Sequence, residues 1–160
     1  MSIEEKLFNQ MNETSGYWHN KSADLISSAG VLWKYGTDGN DYCHFNTYKM
    51  LMGMSFESIA KAFCIAQNKT LKPTHDITAL MSDAGFKFSK IENRTLKALT
   101  SYVEWAGKYP TPLNKKGSGP KTLVEHWKEL SSLGDEAFDY EILHKMWRKM
   151  SDKYMSEHNT

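Results

Sequence analysis

The chain predicts an all-α fold, an up-and-down bundle of about five to seven helices in one domain over residues 1–160. Three observations predict it. Apolar residues return at helical spacing through most of the chain. Glycines, prolines and capping-box spellings cut those stretches at helix length. No segment sustains the alternation of period two that a half-buried strand needs, so essentially no sheet is expected. At 160 residues the chain can fill one core and is too short for two ordinary domains.

Met1 to Gln10 carries Glu4 and Glu5 where a secretory signal needs a positive start and then an apolar run, so no export is expected. From Trp18 the positions Ser22, Leu25, Ile26, Ala29, Leu32 and Trp33 lie on one helical face, with Ser22 the small exception and Gly36 just beyond the end. Gly36 to Asp41 is dense in turn formers and predicts a loop. A second helical stretch runs from about Tyr42 to Lys69, its inner stripe marked by Phe45, Tyr48, Met52, Ile59, Ala60, Phe63 and Ala66. Gly53 within it predicts a bend or a close neighbour.

Pro73 breaks the helix, because it lacks a backbone donor and drives the residue before it out of the α region. Thr74 is placed to cap a short helix through Leu80 to Ala84, with Asp76 in its first turn and Gly85 at its stop. Ser89-Lys90-Ile91-Glu92 spells a capping box. The helix it opens is expected to end at Gly107, with Ile91, Leu96, Leu99, Val103 and Ala106 inside and Tyr102 and Trp105 at the margins. Between Lys108 and Lys121 lie three prolines and two glycines, which predict a linker or loop. A second capping box at Thr122 to Glu125 opens a helix closed by Gly134, and a last helix has Phe138, Ile142, Leu143, Met146, Trp147 and Met150 on one face.

Basic and acidic residues nearly cancel, 20 against 19, so no whole-molecule field draws in nucleic acid or an anionic membrane, and any such contact needs a local patch. The apolar stretches are cut by charges far short of membrane-helix length, and no membrane association is expected. Cys43 and Cys64 are too few for a disulfide framework and point to reduced thiols and a cytoplasmic location. Five Trp, eight Tyr and nine Met supply core volume.

No complete catalytic or metal-binding motif is present. Glu141 and His144 have the Glu-x-x-His spacing of di-iron bundles, but without the second copy and further carboxylates such a site needs. Asp41, Cys43 and His44 read as loop residues. No Walker loop, dinucleotide fingerprint or nucleophile elbow occurs. Neither a metal nor a cofactor is expected.

The informative stretch runs from Phe56-Glu57-Ser58-Ile59-Ala60-Lys61 through Pro73-Thr74-His75-Asp76-Ile77 to Trp105-Ala106-Gly107-Lys108-Tyr109-Pro110. It resembles the HEPN family, whose helical bundle carries a lysine in an apolar stripe, a break resuming at a His-Asp or His-Asn pair, and an aromatic-rich Arg/Lys-Tyr-Pro corner. The resemblance implies a HEPN-like core at about 17–112 and a C-terminal helical extension at 120–158. The family includes ribonucleases of toxin-antitoxin and abortive-infection systems, and inactive members that bind nucleotides, RNA or proteins. Its nucleases pair an arginine with a histidine just over one turn later, across a homodimer cleft. This chain departs from that pattern, because Arg94 leads to Leu99, Thr100 and Ser101, and Arg148 to Lys153, Tyr154 and Met155.

The expectation is therefore a HEPN-like homodimer binding nucleotide, RNA or a protein partner in a toxin-antitoxin, defence or stress setting. The alternatives are a metal-independent ribonuclease with an atypical site using His75 or His44, and a purely structural adaptor. The ligand-binding candidates are Lys61, His75, Asp76, Trp105, Lys108 and Tyr109. Each has a structural reading beside the functional one. Lys61 would be a helix flank, His75 and Asp76 helix-start residues, and the Trp105 to Tyr109 stretch a packed corner.

Overall fold

The computed structural model describes residues 1–39, 44–111 and 123–158. They form α1 (Ile3–Glu13), α2 (Ser15–Asp38), α3 (Phe45–Ala66), α4 (Ile77–Asp83), α5 (Lys90–Ser101), a π-helical segment (Tyr102–Ala106), α6 (Leu123–Ser131), a 3₁₀ turn (Asp135–Phe138) and α7 (Tyr140–His158). Among the described residues there is no strand. The all-α expectation holds.

α3 is the centre. Met52, Gly53, Ser55, Phe56, Ile59, Ala60, Ala62, Phe63 and Cys64 are all buried, and a helix apolar nearly all round must be enclosed by its neighbours. α2 returns antiparallel beside it, with Trp33 against Phe45 and Tyr48 at ring separations of 5.7 and 5.0 Å. At the other end of that seam Ser22 Oγ donates to Ser55 O at 2.7 Å and Ser55 Oγ donates to Ser22 O at 3.0 Å.

α7 lies antiparallel to α2 along a ladder of polar contacts. Tyr154 meets Ser15 Oγ at 2.7 Å, Ser151 meets His19 Nε2 at 2.9 Å, and Trp147 Nε1 donates to Ser22 Oγ at 2.7 Å. Further along, Gly30 lets the Tyr140 ring approach to where a Cβ would stand 2.7 Å from it. Leu143, Trp147, Met150 and Tyr154 belong to the same apolar cluster as the α3 residues. The C-terminal helix is thus one wall of the core, more than the appended extension expected. Tyr48 Oη donates to Phe138 O at 2.6 Å, and burial pushes that phenol far above its ordinary value, so it stays protonated.

Gly53 serves a close approach: a Cβ there would lie 2.7 Å from Val103 Cγ2 and 2.9 Å from Leu99 O. The predicted α5 begins at its Ser89–Glu92 capping box. Its last turn differs. Gly107 N donates to Tyr102 O at 3.0 Å, a π-type bond that widens the turn. That change of phase buries Tyr102 and Trp105, expected at the margins, beside Val103.

Other expectations are corrected. α4 is capped by Asp76, whose Oδ1 accepts from Ala79 N at 3.1 Å, while Thr74 Oγ1 accepts from Asp76 N and only shapes the turn before it. α2 runs past Gly36 to Asp38. Residues 3–10, read only for targeting, belong to α1, opened by a Ser2–Glu5 capping box. Ile91 and Ile142, assigned to inner stripes, are exposed. The Thr122 capping box, Cys43 and most of the Lys108–Lys121 segment lie outside the described residues.

His19 is buried between α2 and α7, stacked on Tyr154 at 4.5 Å, and burial holds its imidazole below the ordinary histidine value. The unfolded chain therefore binds a proton there at a pH where the folded chain does not. Stability should fall as pH drops through about 6.5. Urea unfolding above and below that pH should show a smaller loss for His19→Gln than for the unsubstituted chain.

Candidate functional site

Glu57 and Lys61 stand one turn apart on α3 and so share a face. After α3 the chain reverses through Leu71 to His75 before α4. The reversal is fastened by Gln67 Nε2 donating to Ala84 O at 3.0 Å, by a Lys72–Asp83 ion pair at 2.9 Å, and by Lys69 Nζ donating to Asp83 O. Ile77 N donates to Thr100 Oγ1 at 3.1 Å, which ties the start of α4 to α5.

This returns His75 to the flank of α3. Its Nδ1 lies 3.1 and 3.2 Å from the two Glu57 carboxylate oxygens, and Lys61 Nζ lies 2.6 Å from Oε1. Trp18 of α2 closes one side, its ring centroid 5.2 Å from the Lys61 ammonium, and its Nε1 donates to Asn12 O at 3.0 Å. One carboxylate thus holds an amine and an imidazole together.

The exposures decide the roles. The Glu57 and Lys61 side chains are 10% and 12% exposed, whereas His75 is 58% exposed. A carboxylate buried that far costs several kcal/mol unless paired, and Lys61 supplies the pair. Lys61 is therefore neither a solvated flank nor a free phosphate-binding amine. An ionised carboxylate only accepts, so Nδ1 carries the hydrogen toward Glu57. The ring is left with Nε2 on its other edge. Neutral, it accepts a proton. Protonated, it is a cationic donor.

The other candidates are placed elsewhere. Asp76 is the α4 cap. Trp105 is 1% exposed, packed edge-on to Trp127 at 5.9 Å, so its ring presents no face to a base. Lys108 and Tyr109 lie on the exposed corner after the π segment, their amides donating to Trp105 O at 2.8 Å. That corner docks through Gly107 on Met50, eleven residues before Lys61 and so about 16 Å away along α3. Lys61 and His75 come together, while Lys108 and Tyr109 belong to another part of α3.

Sequence reading missed Glu57, the group that organises the site. The Glu57/Lys61 spacing of four, favourable for an ion pair, was the available signal. Among the described residues no group of three His, Cys, Asp or Glu stands close enough to hold a metal ion. His144 stacks on Tyr140 at 5.2 Å, and His44 lies edge-on to Tyr35. Cys64 is a buried free thiol, raised above its ordinary value by burial. Among the described residues no helix is long and apolar enough to cross a membrane. No family model, curated protein or solved structure matches the chain.

Glu57→Leu strands the Lys61 ammonium and should cost roughly 3 kcal/mol, as for other buried pairs broken on one side. Glu57→Leu with Lys61→Met should cost clearly less. Chemical unfolding of both variants checks this, and equal losses would show that the pair does not compensate itself.

Proposed function

We propose that this chain binds the phosphate groups of single-stranded RNA or a nucleotide at the face formed by His75, with Glu57, Lys61 and Trp18 as its supports. The observation that carries the reading is the contact of His75 Nδ1 with both oxygens of a buried carboxylate. A histidine held this way loses little rotamer freedom on meeting an anion, and its imidazolium form gives a charge-assisted hydrogen bond. Trp18, half-buried at the edge of the cluster, offers a ring beside it. The kinship with the HEPN family belongs to the same proposal, supported by the order of Lys61, His75-Asp76 and Lys108-Tyr109-Pro110. A role in toxin-antitoxin, defence or stress responses rests on that resemblance.

A second reading, metal-independent ribonuclease activity, is favoured by the same carboxylate–imidazole pair. It is the arrangement by which an imidazole is oriented for proton transfer to or from a ribose hydroxyl. The chain has no arginine with a histidine at the family's usual offset, so His75 would act without that partner.

Both readings meet in one experiment, a titration of the purified chain with ATP and a short single-stranded RNA, the RNA being checked afterwards for cleavage. Binding weakened about tenfold by His75→Ala, roughly 1.4 kcal/mol, is expected. Cleavage lost in the same variant would add the enzymatic reading. No binding of either probe, or equal binding by His75→Ala, would overturn the proposal.

A further inference from the structure

Ile91 of α5 and Ile142 of α7 lie on stripes that periodicity assigns to the core, yet they stay 53% and 61% exposed. The reason is a groove between the two helices. One cavity there, of about 370 Å³, is lined by Ile91, Leu133, Ile142, Leu143 and Met146. A second, of about 600 Å³, continues past Phe86 and Phe88, and the two share Glu92, Ile142 and Met146. They form one continuous groove. Both volumes fall in the range of small-molecule sites, roughly 300–1,000 Å³.

The charges that line the groove are divided between its ends. The first cavity holds Glu92, Arg94 and Glu136, where Arg94 Nη2 donates to Ser132 Oγ at 2.9 Å and the Glu136 carboxylate folds back beside Gly134. Arginine and glutamate offset each other there. The second cavity holds Lys87, Lys145, Lys149 and Lys153 against Glu92 alone, and Glu92 Oε2 accepts from Ser89 N at 2.8 Å, which fixes it as part of the α5 cap. Among the described residues Lys87, Lys145 and Lys149 form no ion pair, while Lys153 pairs with Glu157 at 3.4 Å. One end of the groove is thus apolar with little net charge, and the other is cationic.

We propose that this groove binds a free fatty acid, its acyl chain along Ile91, Ile142 and Met146 and its carboxylate among Lys87, Lys145 and Lys149. Covering the two exposed isoleucines with methylenes supplies affinity, and an unpaired ammonium gives the carboxylate a charge-assisted hydrogen bond. The lysine excess sets the sign of the head group. The size of the occupant follows from α7, where Ile142 and the half-buried Met146 span one turn, about 6 Å. A docked amphipathic helix places its anchors over about two turns. A chain of methylenes needs no such repeat. The site uses neither Glu57 nor His75, so it stands apart from the proposal for nucleotide or RNA binding.

Isothermal titration of the full chain with dodecanoate below its micelle concentration tests it, with helical content checked by circular dichroism for every variant. A one-to-one complex is expected. Octanoate, with its shorter tail, should bind about tenfold more weakly or worse, and so should dodecyltrimethylammonium, which has a similar tail and the opposite head charge. Lys145→Gln with Lys149→Gln should weaken dodecanoate binding about tenfold. Lys21→Glu, which changes the net charge by the same amount at an exposed residue outside the groove, should leave binding unchanged. Ile142→Asn should weaken it as well, at a position exposed enough to accept the change. No binding would leave the groove to a helix of a partner protein and overturn the proposal. Many molecules adsorbed per chain, equal binding of the cationic amphiphile, or a double glutamine variant that binds like the unsubstituted chain would overturn it too.

Discussion

Ser22 has no exposed surface, yet it sits where three helices meet: its Oγ donates to Ser55 O, and Trp147 Nε1 donates to it. Most of the fold depends on that node. Serine is small enough to let α2 and α3 approach closely, and polar enough to satisfy an indole that would cost about 1–3 kcal/mol if buried unpaired. The register it sets pairs Ser22 with Ser55. One turn earlier on α2 stands Trp18, and further along α3 stands Lys61, so the antiparallel seam that joins the serines also lays Trp18 over the Lys61 ammonium. The candidate site is a consequence of the core's polar node.

The two polar clusters on this seam behave differently because their surroundings differ. Around Ser22 all members are neutral and enclosed, and their hydrogen bonds specify a rotation of each helix with little net energy. Around Glu57 the members are charged and lie at the edge, where a carboxylate at 10% exposure requires Lys61. His75, beyond that pair, is the member that reaches solvent, and the energy of orienting it comes from a carboxylate whose own burial is already offset.

The helices were legible because local chemistry decided them. The Ser89–Glu92 capping box and the apolar stripes of α2 and α3 each act within a few residues, whereas the break expected at Pro73 comes earlier, α3 ending at Ala66 beside a left-handed Asn68. Ser22 was visible as an exception to its stripe, but its reason lay 33 and 125 residues away, at Ser55 and Trp147. The π segment was not legible, because the added width of one turn follows from packing on Met50 and Gly53, and it moved Tyr102 and Trp105 inward. In the site, Lys61 and His75 were singled out, and Glu57, which joins them, was not. Periodicity describes one helix against the core and carries no information on which partner a side chain finds. The same limit explains Ile91 and Ile142, assigned inward by spacing and left exposed by the groove between their helices.

The most direct test of the node is a double-mutant cycle read by urea unfolding of Ser22→Ala, Trp147→Phe and the two combined. A coupling of about 1 kcal/mol is predicted, the combined loss being smaller than the sum, because either change alone removes the same hydrogen bond. Strictly additive losses would mean that the two side chains do not interact, and the register built on them would then have another origin.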